Sequence, residues 1–424
     1  WLNKRFCEKR PVWPQKESTV SGLSVAHYYP WRRVKVVYQN VHAEPPSALI
    51  RIEPDQRFRP ICHGCGGPAR TVHSQTRKFV RDLPFGGHEM LLQIEYRKIW
   101  CDACGGVRVE QLEFVDTCQR VTNRLAAYAV QLCRAGLSVQ AVADHLGLDA
   151  KTVKALDKAT LEVEFGQTRY EGLSRLAIDE IAVRKGHNYM TVVLDYDTGR
   201  VVWMGEGRQI ETLDEFFKNM PEDVRNGIQA VALDMWEAFI NAVKRWCPNA
   251  DIVFDLFHVV KAFNKVIDDI RNEEFDKADL EGREMLKGSK YLLVRRNENL
   301  RRDQRARLKE ILAVNERLNV VYWLKDLLVH IWSYVRPSWA LSALDAWDAV
   351  AEADGHPALL RFARKLQKYK YGIVNHCKHP IHTSKLEGVN NKIKVIKRVA
   401  YGFHDLEYFT LKVKQALPGH SSSN

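Results

Sequence analysis

The sequence lacks any long apolar run, and this absence limits where the protein can work. Charged side chains interrupt every hydrophobic stretch, so no segment reaches the roughly 18 apolar residues that a membrane-spanning helix needs. There is also no charged n-region followed by an apolar h-region, which a secretory signal requires. Both absences favour a cytoplasmic protein.

Nucleotide-binding loops and repeat patterns are missing as well. The sequence contains no G-x-x-x-x-G-K-[ST] loop, which excludes a kinase or ATPase of that class. It contains no internal repeat and, apart from a short SSSN tail, no low-complexity tract. Glycine is absent from residues 289–354, Pro337 is their single proline, and Leu, Ala, Arg, Glu and Lys are abundant. That segment is therefore predicted to be helical.

What the sequence does contain is an excess of positive charge. Its 424 residues carry a formal net charge of +12, and a chain of this length suggests roughly two to four domains. The charge is uneven, because residues 361–414 hold thirteen Lys and Arg against three Asp and Glu. Basic proteins gain affinity for polyanions by neutralising phosphates. The balance therefore favours a polyanionic partner.

Two groups of strands predict the fold class. Residues 31–52 alternate apolar and polar side chains around Pro45-Pro46, which predicts a hairpin. Beyond Ser174 the predicted strands are apolar: RLAIDEIAV, YMTVVLDYD, RVVWMG, IQAVALD and DIVFD. Helices are predicted near 210–220 and 236–246, on either side of the fourth of these strands. Three neighbouring strands followed by β–α–β alternation indicate a mixed α/β sheet.

Four of the nine cysteines form two close pairs, Cys62-x-x-Cys65 and Cys101-x-x-Cys104, each followed by glycine. The odd total and this spacing argue against a secreted disulfide scaffold. Each CxxCG is a tight turn in which glycine lets backbone amides approach two thiolates. Two such turns give a tetrahedral Zn²⁺ site with four sulfurs, which is structural because no coordination position stays open. The alternative is a set of incidental buried thiols.

Residues 136–158, GLSVQAVADHLGLDAKTVKALDK, predict a helix-turn-helix. Apolar residues at helical spacing form one short helix, Gly147-Leu148 makes the turn, and a second helix follows. The second helix of this motif enters the DNA major groove, and side chains at its start are exposed for contact. The candidate DNA-binding residues there are Lys151, Thr152 and Lys154. A generic helical hairpin is the alternative.

Two aspartates lie on predicted strands, where an ionised side chain is costly unless it is paired or bound to a metal. Asp179 lies within RLAIDEIAV, and Asp234 ends the apolar strand before MW. Phosphodiester cleavage with two Mg²⁺ ions ~3.5–4 Å apart needs such carboxylates converging from separate elements. Glu180 and Asp195 are competing candidates. Any of these acids by itself is better explained as a capping or solvated side chain.

A third acid lies in the basic segment HTSKLEGVNNKIKVIKRVAYGFHD, residues 382–405. At about 100° per residue the apolar residues fall on one helix face. The opposite face carries Glu387, Asn391, Lys394 and Arg398. We expect the cationic and amide side chains to contact DNA phosphates and Glu387 to bind a metal beside them. The alternative is a surface set of polar pairs that stabilises the helix.

Taken in order, these motifs resemble the DDE transposases of the ISL-three insertion-sequence group. The resemblance is carried by the Cys₄ ribbon, the helix-turn-helix, the IDE strand, the LD strand end, DLFHV and LEGVNNKIKVIKRVAYGF, over roughly residues 55–415. It implies a multidomain α/β protein with a ribonuclease H-like core, whose first strand, fourth strand and last helix carry the metal carboxylates. Those carboxylates are here Asp179, Asp234 and Glu387.

The resemblance also implies a role for His258, which belongs to a D-x-x-H element after the second acid. His258 is expected to lie near the active site and to take part in catalysis. The alternative is a histidine that caps the helix following the fifth strand.

An activity and a set of partners follow from the same resemblance. The expected protein is a bacterial, nucleoid-associated DNA transposase that binds terminal inverted repeats and catalyses DNA cleavage and 3′-OH strand transfer. Its expected cofactors are two Mg²⁺ ions, or Mn²⁺, at the three acids, and structural Zn²⁺. Its expected partners are the double-stranded DNA of transposon ends and target, and a second copy of the chain. Two alternatives stay open: a non-catalytic DNA-binding regulator and a ribonuclease H-like structure-specific nuclease.

The expected domain organisation has six segments. They are an irregular leader at 1–30, a β-rich zinc-ribbon domain at 31–115, a helix-turn-helix domain at 116–165, the first part of the catalytic core at 170–264, an all-α insertion at 265–370, and the last part of the core with the basic helix at 371–424. The insertion contains four tryptophans that are expected in its core: Trp323, Trp332, Trp339 and Trp347. The alternative is that one of them stacks on a base unpaired during cleavage.

Overall fold

The computed structural model describes residues 29, 31–117, 119–184, 188–381, 384–400 and 402–420. Apart from Tyr29, the predicted leader at 1–30 lies outside the described residues. The chain divides into two compact units, Trp1–Glu164 and Phe165–Asn424. Each unit has hydrophobic clusters of its own.

The first unit contains a five-stranded sheet. Its strands are β1 (Val34–His42), β2 (Ser47–Pro54), β3 (Thr71–Phe85), β4 (His88–Cys101) and β5 (Gly106–Val109). β1 and β2 form an antiparallel hairpin around Pro45 and Pro46, with His42 paired to Ser47, which confirms the prediction. β2 also pairs in parallel with β4, and β4 pairs antiparallel with both β3 and β5.

Three helices complete this unit: α1 (Asn123–Arg134), α2 (Val139–Leu146) and α3 (Ala150–Phe165). α2 begins after Ser138, whose hydroxyl accepts a hydrogen bond from the Ala141 N–H. It ends at Gly147, where a φ of +60° favours a residue without Cβ. A common buried cluster joins α2 to α3 through Val142, Leu146, Val153 and Leu156. These are the two helices, the turn and the apolar contacts predicted for residues 136–158.

The second unit is built on a mixed five-stranded sheet with the order β10-β9-β6-β7-β8. The strands are β6 (Arg175–Arg184), β7 (Asn188–Asp195), β8 (Val201–Glu206), β9 (Ala230–Leu233) and β10 (Asp251–Phe254). β7 is antiparallel to both of its neighbours, β6 and β8. β9 runs parallel to β6, and β10 runs parallel to β9. The predicted mixed α/β sheet is confirmed.

Helices cover both faces of this sheet. α4 (Ile210–Lys218), α5 (Glu222–Gly227) and α6 (Glu237–Trp246) follow β8 and β9. α4 and α6 pack on the face that carries Leu176 and Ile178. The other face carries Ala177 and Ile181 and is covered by α14 (Ser384–Val399) and α15 (Leu406–Ala416). Side chains point alternately to the two faces along a strand. On β6, odd-numbered residues such as Ala177 therefore face α14 and α15, and even-numbered residues such as Leu176 face α4 and α6.

A helical block separates β10 from α14. It consists of α7 (Leu256–Lys277), α8 (Leu280–Leu286), α9 (Lys290–Val294), α10 (Arg302–Val314), α11 (Glu316–Ile331), α12 (Pro337–Asp354) and α13 (Pro357–Val374). The helical character predicted for residues 289–354 is confirmed. The predicted insertion limits, 265 and 370, lie inside α7 and α13. Among the described residues, no helix is long and apolar enough to cross a membrane.

The four tryptophans of this block do not share one environment. Trp347 is fully buried, and its indole N–H donates to the Leu324 carbonyl at 2.8 Å. Trp332 is partly buried against the same core. Trp323 and Trp339 are 51% and 55% exposed, so the expectation of core positions is wrong for these two. Composition alone could not separate them, because exposure depends on which helix face packs against a neighbour.

Candidate active site and zinc centre

Asp179 lies on β6, and Asp234 directly follows β9, the parallel neighbour of β6. The pairing of β6 with β9 sets Ala177 opposite Ala232, so each acid lies two residues beyond the last paired position of its strand. Asp179 is two residues from Ala177, and Asp234 is two residues from Ala232. Ala177 and Ala232 lie on the sheet face that α14 covers, and alternation along a strand assigns both acids to that face. Neighbouring strands are about 4.8 Å apart. The sheet therefore carries both acids at the same end of two neighbouring strands, and the charges of both act on Glu180 and His258.

Glu387 lies on α14, the helix that packs on the same sheet face. That helix buries Leu386, Val389 and Ile393 against the sheet, as the helical wheel predicts, and leaves Glu387 exposed. One turn further along, the Asn390 side-chain amide donates to Asp179 Oδ2 at 2.6 Å. Residues three apart on a helix have Cβ atoms about 5–6 Å apart. Glu387 therefore lies one helical turn from a residue in direct contact with Asp179.

His258 contacts the second acid. Its Nδ1 lies 3.2 Å from Asp234 Oδ2, and its Nε2 lies 3.7 Å from Asp255 Oδ2. The N-cap of α7 is Asp255, whose carboxylate accepts from the Phe257 N–H. The cap role considered as an alternative for His258 is therefore filled by Asp255. His258 is left facing Asp234.

The contact between His258 and Asp234 shifts the pKa of both groups. Burial alone lowers the pKa of His258, but the hydrogen bond to Asp234 and the charges of Asp234, Asp179 and Asp255 together raise it above its ordinary value. Burial alone raises the pKa of Asp234, but the hydrogen bond and charge of His258 and the Met235 N–H lower it overall. The geometry favours an ionised carboxylate beside a protonated imidazole.

The two competing acids have other surroundings. Glu180 has the opposite strand parity to Asp179 and lies 3.5 Å from the Arg208 guanidinium. Burial raises the pKa of Glu180, Arg208 opposes that rise, and the nearby charges of Asp179 and Asp234 add to it. Asp195 is buried and accepts hydrogen bonds from Thr198 and the Asp197 N–H, which stabilise the turn after β7. Asp195 therefore has a structural explanation.

The donor set of this acid site fits a divalent cation of the Mg²⁺ type. Its side chains offer hard carboxylate oxygens, and the Asp234 side chain is 42% exposed. Asn390 Oδ1 is buried and makes no hydrogen bond to any residue that the structure describes. Among the described residues, however, the cysteine cluster is the only group of three or more potential ligands within 4.8 Å of one another. Asp179 and Asp234 are instead held by Asn390 and His258.

The four predicted zinc ligands do converge. Cys62 Sγ lies 3.9 Å from Cys104 Sγ, and Cys65 Sγ lies 3.6 Å from Cys101 Sγ. A tetrahedron with Zn–S bonds of about 2.3 Å has S···S edges of about 3.8 Å, so these sulfurs are already at the spacing of a Zn²⁺ site. Gly66 and Gly105 have φ of +69° and +62°, which lets each knuckle turn tightly.

Backbone amides help to hold the thiolates. The Gly64 N–H lies 3.4 Å from Cys62 Sγ. Burial opposes ionisation of Cys62, but hydrogen bonds from the Cys65 and Gly64 amides lower its pKa to about 6. Metal binding requires the deprotonated thiol, so the local backbone favours the ligand form.

The predicted DNA-binding side chains lie on two helices. On α14, Asn391, Lys394 and Arg398 are exposed. On α3, Lys151 is exposed, whereas Thr152 and Lys154 are half-buried at the start of the helix. The α3 start is fixed by Asp149, whose carboxylate accepts from the Lys151 N–H at 2.8 Å.

Comparison with known proteins agrees with this organisation. A family model described as "Transposase" matches residues 176–413, which contain the three acids. A model described as "Helix-turn-helix domain of transposase family ISL3" matches residues 110–160. A third, described as "zinc-finger of transposase IS204/IS1001/IS1096/IS1165", matches residues 59–104, which hold the four cysteines.

Two curated proteins illustrate how far the similarity extends. The transposase for insertion sequence element IS1001 of Bordetella parapertussis is 43% identical over 364 residues, which cover 85% of this chain and 89% of that protein. The transposase for insertion sequence element IS1557 of Mycobacterium tuberculosis (strain ATCC 25618 / H37Rv) is 27% identical over 400 residues, covering 88% and 89% of the two chains.

Proposed function

This chain belongs to the ISL3 family of transposases, and from that premise we propose a reaction and a site. The protein binds the terminal inverted repeats of an insertion sequence, cleaves DNA in a Mg²⁺-dependent reaction and transfers the resulting 3′-OH to target DNA. The residues that hold the metal are Asp179, Asp234 and Glu387. The observation that supports this site best is the parallel pairing of β6 with β9, two residues before both aspartates, together with the hydrogen bond to Asp179 from the helix that carries Glu387.

Both proposed steps are displacements at phosphorus. In the first, water attacks the phosphodiester at the end of the element, one P–O bond replaces another, and a 3′-hydroxyl leaves. In the second, that 3′-hydroxyl attacks a target phosphodiester and a target oxygen leaves. When bound, divalent cations activate the attacking oxygen and stabilise the leaving oxygen.

The protein's own side chains prepare the site for these steps. Asp234 is kept ionised by His258, and Asp179 is oriented by Asn390. The catalytic role proposed for His258 rests on its contact with Asp234, which aligns the carboxylate. The pKa of His258 is raised by Asp234, Asp179 and Asp255, which favours its charged form, and positive charge is favourable near a reacting phosphate.

The DNA is held by two sets of side chains in this proposal. At the start of α3, Lys151, Thr152 and Lys154 contact the terminal repeat from the major groove. Along α14, Asn391, Lys394 and Arg398 hold backbone phosphates within a few turns of Glu387. Two copies of the chain pair the two ends of the element.

The decisive experiment incubates the full chain with labelled element ends and Mg²⁺ and maps nicks at nucleotide resolution. Asp179→Asn, Asp234→Asn and Glu387→Gln each remove one carboxylate with little change in volume. We expect end binding to survive and nicking to fall by more than about 100-fold, since even a partner of a metal ligand is worth about 10–100-fold.

The same experiment separates the alternatives. Full nicking by all three variants would refute the acid site, and absent nicking by the wild type would favour a non-catalytic regulator. Cleavage of branched DNA regardless of its end sequence would favour a structure-specific nuclease.

A further inference from the structure

We propose that Asn390 is a positioning residue of the acid site, which holds Asp179 ready for a cation and fixes α14 against β6. The helical wheel does not predict a role for Asn390, because the polar face that carries Glu387 continues four residues later, at Asn391. This inference rests on the proposed function only in assuming that the acids bind a divalent cation.

The contact itself is chemically unambiguous. The Asn390 amide nitrogen lies 2.6 Å from Asp179 Oδ2. An ionised carboxylate can only accept hydrogen bonds, so the nitrogen, rather than the oxygen, must face it. The other carboxylate oxygen, Asp179 Oδ1, accepts from the Glu180 N–H at 2.8 Å. Asp179 is thus held at both oxygens, once by its own strand and once by α14.

The other end of the same amide makes no hydrogen bond to the described part of the chain. Asn390 Oδ1 is buried and has no partner among those residues, and such a group costs free energy. An apolar side chain of the same shape would avoid that cost and pack equally well. The unpaired carbonyl of Asn390 therefore lowers the stability of the folded protein, and the hydrogen bond to Asp179 is the contact that explains an asparagine at this position.

A second contact shows why the position matters for Glu387. Two turns after Asn390, the Lys397 amine donates to the Ala182 carbonyl on β6 at 3.3 Å. These two bonds attach the same edge of α14 to the same strand and so fix the rotation of the helix about its axis. Glu387, three residues before Asn390, takes its direction from that rotation. Asn390 therefore couples the first acid to the third.

A cation-binding measurement without DNA tests this role directly. The zinc-loaded full chain is titrated with Mn²⁺, and binding is followed by calorimetry and by the loss of the free-Mn²⁺ paramagnetic resonance signal. Asn390→Leu removes the donor and the unpaired carbonyl while keeping the side-chain shape. We expect its Mn²⁺ dissociation constant to rise by about 10–100-fold, with a cooperative unfolding transition in urea retained.

Two further variants, a second substitution of Asn390 and a control, test this interpretation. Asn390→Ser is polar but too short to reach Asp179, so it should lose Mn²⁺ affinity as well and replaces the leucine variant if that one does not fold. Asn219→Leu is the matched control, because Asn219 donates to the Glu215 carbonyl at the end of α4, away from the acids. Its Mn²⁺ affinity should equal that of the wild type.

The outcomes distinguish this inference from the proposed function. If Asp179→Asn abolishes Mn²⁺ binding but Asn390→Leu and Asn390→Ser bind as the wild type does, Asn390 is only a packing residue and the inference is overturned. If the wild type shows no Mn²⁺ binding that depends on Asp179, the proposed function itself fails and this inference fails with it.

Discussion

His258 Nδ1 lies 3.2 Å from Asp234 Oδ2, so a histidine at the start of α7 and an aspartate at the end of β9 share one hydrogen bond. The two elements are brought together because β9 and β10 are parallel neighbours and each is followed directly by an acid, Asp234 and Asp255. The helix that follows β10 then presents His258 to the first of these acids. The D-x-x-H spacing has a physical basis in this geometry, with the aspartate as helix cap and the histidine one turn later.

Replacing His258 tests whether this contact serves catalysis. His258→Ala leaves Asp234 with its burial penalty and without its partner, so its carboxylate is less well ordered and less readily ionised. We expect the nicking rate to fall by about 10–100-fold, the usual scale for a residue that orients a metal ligand. Nicking assays on labelled ends give the rate, and a mobility-shift assay should show unchanged end binding. An unaltered nicking rate would limit His258 to a structural role.

The basic face of α14 offers a matched pair of cations. Arg398 is exposed on the stripe of Glu387, whereas the Lys392 amine is directed to the Ala416 carbonyl on α15. Arg398→Ala should weaken end binding and lower the slope of log K against log salt concentration by about 1, as expected for one phosphate contact. Lys392→Ala is the control and should leave the slope unchanged. Titrations of labelled ends at several salt concentrations measure both, and equal effects would contradict the assignment of the stripe.

Removing zinc should disable the first unit. The sulfurs of the four cysteines are already at tetrahedral spacing, and a structural metal contributes directly to folding. Cys101→Ser should lower the zinc content from one ion per chain and lower the unfolding midpoint. It should also abolish end binding, because the ribbon no longer folds. Elemental analysis and thermal unfolding check these outcomes, and Cys133→Ser, outside the cluster, is the control. Normal stability without zinc would refute a structural metal.

The sequence predicted these elements because their physical signals are local. Paired CxxCG turns, strand alternation and the apolar face of α14 each depend on a few neighbouring residues, and the structure reproduces them. The relation between Asn390 and Asp179 depends on residues 211 positions apart and on the exact rotation of a helix, which a wheel gives only to within one position. The same limit applies to Trp323 and Trp339, whose exposure follows from tertiary packing.

Which of Asp179 and Glu180 faces α14 depends on tertiary structure. Adjacent residues on a strand point to opposite faces, and the sequence does not say which face α14 covers. In the structure α14 packs on the face of Ala177 and Ile181, which is that of Asp179. Glu180 faces the other side and pairs with Arg208. A one-residue shift in strand register would exchange the two roles.

A buried acid in the helical block predicts a pH-dependent stability that is independent of the active site. Asp348 on α12 is 8% exposed, and its Oδ2 accepts from Gln367. Its Oδ1 has no hydrogen-bond partner in the part of the chain that the structure describes. Burial, opposed by Lys370 and reinforced by Asp345 and Glu352, raises its pKa from 3.8 to about 6. The folded state therefore holds this proton more tightly than the unfolded state.

The sign of the effect follows from that difference. Below pH 4 the carboxyl group is protonated in both states and carries no penalty. As the pH rises from about 4 to about 6 the unfolded state ionises first, so the free energy of unfolding falls by an amount that levels off above pH 6. A shift of one pKa unit corresponds to about 1.4 kcal/mol, which sets the penalty at about 1–3 kcal/mol.

Asp348→Asn should remove this penalty, because an amide can still accept from Gln367 and never ionises. We expect the variant to be about 1–3 kcal/mol more stable than the wild type at pH 7.5 and equal to it near pH 4. Urea unfolding across this pH range measures the difference. Asp303→Asn, on α10 and with its side chain 70% exposed, is the control and should show no comparable gain. A variant destabilised at pH 7.5 would mean that Asp348 is ionised and paired in the folded protein.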